Sequence, residues 1–177
     1  FNPRIYSDQD FIFQTEYREA FKKSKIVADM SFNLNKEKDV GEDDNTNTHL
    51  FVKIDGELDE KTGYTFNYQN VSSEDYLKIH ELMATTPLIE SYSTMTSSFS
   101  IGRSIDEHTS LDTSFIVYED LSQKKSSDKY QYVFPSYGFS KKIEIDESYH
   151  GNFNFLSSGF QKNHSTNIYE AQVNNDF

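Results

Sequence analysis

The sequence predicts an all-β fold, an antiparallel up-and-down meander. Apolar and polar residues alternate at period two in segment after segment, the signature of strands with one apolar and one wet face. Aromatics make up 15% of the 177 residues, as 15 Phe and 12 Tyr, while hydrophobic residues reach only 35%. That balance suits one-sided sheets and not disorder, because disordered chains are aromatic-poor. Several segments are joined by short polar turns, so successive strands are expected to pair antiparallel.

The segments are taken in chain order. "DFIFQTEYREAF" sets Phe11, Phe13, Tyr17 and Phe21 against Gln14, Glu16 and Arg18. "SKIVADMSFNL" sets Ile26, Ala28, Met30, Phe32 and Leu34 against Val27, Asp29, Ser31 and Asn33. "HLFVKIDGEL" sets Leu50, Val52, Ile54 and Leu58 against Lys53, Asp55 and Glu57. "GYTFNYQN" sets Tyr64, Phe66 and Tyr68 against Thr65, Asn67 and Gln69. "YSTMTSSFSIG" carries Ser and Thr on both faces and is the weakest strand. "SLDTSFIVYED" sets Leu111, Thr113, Phe115 and Val117 against Ser110, Asp112 and Ser114, with Ile116 and Tyr118 interrupting its polar side. "GNFNFLSSGF" and "NIYEAQV" are two further strands, less cleanly patterned.

The connections "FKKS", "DEKTG" and "SIDEHT" are short, whereas 36–47, 72–90 and 120–129 are long and polar. Long and short alternate from the third strand onward, and near the start two short ones follow each other. A meander puts alternate connections at the same end, so one end is expected to carry the long loops. In "SSEDYLKIHELMA", Ser72 is an N-cap candidate with Asp75 three residues on, and Tyr76, Ile79 and Met83 fall at helical spacing. A short helix ended by Pro87 and an irregular polar loop are both open there.

Few residues suggest chemistry. "HELMA" starts like a zinc-protease helix, but Ala84 stands where a second His is needed. "DDNTNT" starts like a calcium loop but has Thr48 and Ile54 at its Gly and Glu positions. Ser122 and Lys125 match a Ser-x-x-Lys pair by letter, in a charged loop with nothing apolar to desolvate the lysine. The five histidines lie in separate segments without ligand spacing. Carboxylates alternate with apolar residues on many strands, which is the pattern of a solvated face. The expectation is a non-catalytic protein with no cofactor and no metal. A net charge of −12 argues against nucleic acid, whose backbone needs clustered Lys and Arg. There is no cysteine, hence no disulfide framework or thiolate site.

No apolar run approaches the ~20 residues of a spanning helix, and membrane barrels evade that search because their strands alternate. About ten strands of ~8–12 residues are predicted, the length that crosses a bilayer at a tilt, against ~5–6 in soluble proteins. Strand length therefore points toward a transmembrane β-barrel. A soluble carbohydrate-binding β-sandwich, and another outer-membrane barrel such as a porin or adhesin, stay open at this stage.

Three stretches resemble the family of the LPS-assembly protein LptD, also called organic solvent tolerance protein. Asn2-Pro3-Arg4-Ile5-Tyr6 followed by Glu16-Tyr17-Arg18 is similar to its early barrel strands. "HLFVKIDGELDEKTGYTFNYQNVSSEDYL" is similar to its next hairpin and loop, with Val71, Ser72, Asp75 and Tyr76 in the loop. "YVFPSYGFS" is similar to a Pro-containing strand further on. The order and spacing of the three agree. The resemblance implies that residues 1–177 are an early-to-middle part of a transmembrane β-barrel, without its first and closing strands and without the family's periplasmic jelly-roll domain. It implies a place in the outer membrane of a Gram-negative cell and a role in inserting lipopolysaccharide into the outer leaflet. It also implies two protein partners, an LptE lipoprotein plug and a periplasmic LptA-type bridge. Pro3 matches a proline beside the family's lateral gate. On this reading Ile26, Met30, Phe32, Val52, Ile54 and Phe115 face lipid, and Asp29, Lys53, Asp55, Glu57 and Asp112 face an aqueous lumen.

Overall fold

A computed structural model describes residues 4–5, 12–33, 47–82, 86–123, 129–145, 151–165 and 167–177. Ten strands follow one another in a single sheet, each bonded to its neighbours in sequence. They are β1 (Arg4–Ile5), β2 (Ile12–Ala20), β3 (Ser24–Asn33), β4 (Asn47–Asp59), β5 (Thr62–Val71), β6 (Thr94–Asp106), β7 (Thr109–Asp120), β8 (Tyr130–Ile145), β9 (Gly151–His164) and β10 (Tyr169–Asp176). Every pairing is antiparallel. The fold is the all-β up-and-down meander that alternation predicts. The sheet is open, with β1 and β10 at its two edges. Among the described residues there is one sheet and not the two layers of a sandwich.

Cross-strand partners share a face, so the register assigns every side chain on the central strands. Ile26 pairs with Ile54, Ile54 with Phe66, Phe66 with Phe99, and Phe99 with Phe115. An unbroken apolar row therefore crosses five strands on one face, called outer below. It includes the Ser- and Thr-rich β6, the weakest strand by sequence, because Phe99 sits between two phenylalanines. Phe115 and Met30 remain 42% and 46% exposed, so no layer among the described residues covers this face. Outer-face charges on β2 to β8 are Glu19, Asp59, Arg103, Asp106, Glu119 and Lys141, all near strand ends.

Two hairpins repeat one device. Asp59-Glu60-Lys61-Thr62 and Asp106-Glu107-His108-Thr109 each make a tight turn. In each, the aspartate carboxylate accepts a hydrogen bond from the backbone N–H two residues on, Lys61 at 2.8 Å and His108 at 2.9 Å. Such Asx turns suit aspartate because its short side chain reaches its own backbone. These turns lie at the same end of the sheet as 21–23 and 146–150, while 34–46, 72–93 and 121–129 connect strands at the opposite end. The three longest connections thus share one end.

Pro135 explains an irregularity in β8. It lacks an N–H and cannot serve a central ladder. Ser136 pairs with Ser114 and Val133 with Ile116, which leaves Phe134 and Pro135 together opposite Phe115. This bulge restores the alternation, so Val133 and Ser136 face inward while Phe134 packs against Phe115 with ring centroids 6.0 Å apart.

The long connection after β5 holds the one helix among the described residues, α1 (Glu74–Ile79). Its N-cap is Ser73 and not Ser72: the Ser73 hydroxyl accepts from the Tyr76 N–H. The Ser72 hydroxyl is engaged elsewhere, with Thr48 N–H and Asn47. The buried helical positions are Tyr76 and Leu77, while Ile79 is 59% exposed and belongs to the opposite side. Met83 lies outside the described residues. The connection folds over the inner face of the sheet. Tyr76, Leu77, Leu82, Leu88 and Ile89 join Ile12, Phe51, Val71 and Met95 in the principal apolar cluster.

Candidate functional site on the inner face

The inner face is built from the positions that alternate with the apolar row. Lys53, Asp55 and Glu57 lie on it, one residue out of phase with Val52 and Ile54. Asp112 lies on it too, against Gly138, where an added Cβ would fall on the Asp112 carboxylate. Lys53, Glu57 and Asp112 are exposed, and Asp55 accepts a hydrogen bond from Thr65 (3.0 Å) and pairs with Lys25 (3.4 Å). All six residues expected on the opposite face, Ile26, Met30, Phe32, Val52, Ile54 and Phe115, do occupy the outer side by register. Pro3 lies outside the described residues.

Asp29 departs from the expectation of a wet environment. It faces inward but is only 1% exposed, covered by the 72–93 connection. A buried carboxylate is costly unless hydrogen bonds replace its water. Here His49 Nε2 donates to Asp29 Oδ1 at 2.6 Å, and Gln14 Nε2 donates to the same carboxylate at 3.1 Å. A carboxylate only accepts, so Nε2 carries a proton, and Nδ1 is hydrogen-bonded to the Ser31 hydroxyl at 2.6 Å. Ser31 Oγ is in turn hydrogen-bonded to the Tyr76 phenol at 2.5 Å. The result is a four-member polar chain that runs from helix α1 through β3 and β4 to Asp29. Burial pushes the Tyr76 phenol up from its ordinary pKa; the bond to Ser31 acts in the opposite sense, and the Asp29 charge adds to the rise.

Serine, histidine and aspartate within hydrogen-bond reach resemble a nucleophile with its base and orienting acid. Access decides against that use. Ser31 is 3% exposed, and the Tyr76 phenol occupies the position a substrate would need. The His49 ring also stacks on Phe51 at 4.5 Å, which fixes it in a packed core. What the chain can do is bond the connection to the wall of the sheet. Among the described residues no cluster of His and carboxylates has the makings of a metal site. Ser122 bonds to Asp120 in its own turn, and Lys125 lies outside the described residues.

A second anchor lies where β5 and β6 part. Their ladder runs from Thr62↔Arg103 to Asn67↔Ser98 and stops. Beyond it the Gln69 amide takes over, accepting from Thr96 N–H at 2.8 Å and donating to the Leu88 carbonyl at 2.5 Å. The side chain thus replaces ladder bonds and holds the far half of the connection.

Beside this covered area the inner face opens into a groove of about 500 Å³ between β6 and β9. Ile116, Tyr118, Gln131, Val133, Phe160 and Lys162 contribute to its lining. Lys129, just before β8, bonds to Glu119 at 2.6 Å, which raises its pKa. The two residues that interrupt the polar side of β7 in sequence, Ile116 and Tyr118, are the ones that line this groove.

Sequence reading missed the polar chain because its members come from three separate segments, β3, β4 and α1. Comparison with protein-family models, with curated proteins and with solved structures finds no match to this chain.

Proposed function

We propose that this chain is part of the wall of an outer-membrane β-barrel that inserts lipopolysaccharide into the outer leaflet of a Gram-negative envelope. One observation carries the membrane half of the reading. The two faces of one sheet differ in charge: the central band of the outer face is apolar across β3 to β8, and its charges sit near the strand ends. A band of that kind flanked by aromatic residues is what lipid requires of a barrel wall. The opposite face carries Lys25, Lys53, Asp55, Glu57 and Asp112, as a wet lumen would. Barrels of this class keep short turns in the periplasm and long loops outside. The end bearing 34–46, 72–93 and 121–129 is therefore assigned to the exterior.

The lipopolysaccharide half rests on the three stretches that resemble the LptD family, in order and spacing. On that reading the work is conduction and not catalysis, with an LptE-type plug and an LptA-type periplasmic bridge as partners. The test is photo-cross-linking in living Gram-negative cells. A benzophenone amino acid at Lys53 or Asp112 should capture lipopolysaccharide, and one at Phe115 should capture phospholipid or nothing. Capture of lipopolysaccharide from neither inner position would defeat the assignment while leaving the barrel intact.

A further inference from the structure

The connection between β5 and β6 is fastened at two separate places, and its contacts say how it is used. We propose that its described parts, Ser72–Leu82 and Thr86–Ser93, form a fixed strap across the inner face, which confines passage to the open groove between β6 and β9. This rests on the reading of the sheet as a barrel wall.

The first half is held by the Tyr76 phenol on Ser31, backed by His49 and Asp29. The second half is held by the Leu88 carbonyl on Gln69, which also bonds to β6. Between the anchors, Leu77 and Leu82 are fully buried and Ile89 is 6% exposed. A swinging lid would need a weakly packed contact surface, since mobile elements are those with few buried apolar contacts. This one exposes Ile12, Phe51 and Val71 to water if it lifts, and leaves a buried Asp29 network open at the Tyr76 end. At the level of the strap, around Ile12, Phe51 and Val71, the wall of β2 to β5 is therefore closed to a ligand. The wall under β6 to β9 carries the groove, where Tyr118 and Phe160 offer apolar surface and Gln131, Ser136 and Lys162 offer polar contacts. Asp120 lines it as well, and an amphipathic ligand with a polar, sugar-bearing head suits that mixture.

The test uses the whole barrel of which this chain is part of the wall, in lipid bilayers. Nitroxide labels at Lys78 and Asp112, both exposed, report the distance from strap to wall. A single narrow distance distribution is expected, unmoved when lipopolysaccharide is added. A second population, or a shift on addition, would overturn the fixed strap. This arm holds whatever the surrounding membrane does. Conductance then tests confinement. Replacing 74–90 by a short Gly-Ser linker should raise single-channel conductance several-fold over the parent. An unchanged conductance in a variant that still inserts would show that the strap does not narrow the passage. Brominated-lipid quenching of the outer face separates either failure from failure of the barrel reading.

Discussion

Phe99→Arg should destabilise the membrane-inserted protein by about 2–4 kcal/mol, while Ser100→Arg, one residue along, should cost much less. Phe99 sits in the middle of the apolar row, between Phe66 and Phe115. A guanidinium there would have to leave water for hydrocarbon near mid-bilayer. Ser100 pairs with Thr65 and Ser114 on the inner face and lines an open recess, so an arginine in its place keeps its hydration. Urea titration of the inserted protein measures both. Equal losses at the two positions would mean that the faces do not differ in solvent.

His49→Ala should cost about 3 kcal/mol or more, because a buried charged acceptor that loses its donor lies at the upper end of the penalty for an unsatisfied group. The imidazole is the closest donor to Asp29, which is 1% exposed and would keep only Gln14 as a side-chain donor among the bonds described. Ser31 loses a hydrogen-bond partner at the same time. The paired change Asp29→Leu with His49→Leu should be milder than His49→Ala alone, because no buried charge is left uncompensated. If the single variant were the milder one, the carboxylate would have to be solvated in place.

Alternation made the faces legible wherever the polar side was polar. Met30 and Phe32 against Asp29, and Val52 and Ile54 against Lys53, follow from period two alone. Two interruptions in that pattern carried further meaning. Leu50-Phe51-Val52 is apolar on both faces because the strap covers Phe51 from the inside. Phe115-Ile116-Val117-Tyr118 is apolar on both faces because Ile116 and Tyr118 line the groove. A consecutive apolar run within an alternating strand thus marks a level at which the inner face is covered by another segment or lines a groove.

The polar chain was not legible, for a physical reason. Ser31 meets His49 only because those residues are register partners across β3 and β4. A tight hairpin would set that register from its turn, but the two strands are joined by 34–46, which is too long to do so. Tyr76 arrives from a helix whose docking no local pattern specifies. The N-cap was misplaced by one residue for a similar reason: Ser72 and Ser73 are equivalent in sequence, and Ser72 is taken up by Thr48 across the sheet.

The central claim is that the outer face of this sheet lies against lipid. The chain has no tryptophan, so a single introduced indole reports without background. Tryptophan placed in turn at Ser98, Phe99, Ser100 and Ile101 samples both faces of β6 over four successive residues. In bilayers containing brominated phospholipid, fluorescence at positions 99 and 101 should be strongly quenched and that at 98 and 100 spared. Uniform quenching, or quenching confined to 98 and 100, would contradict the account.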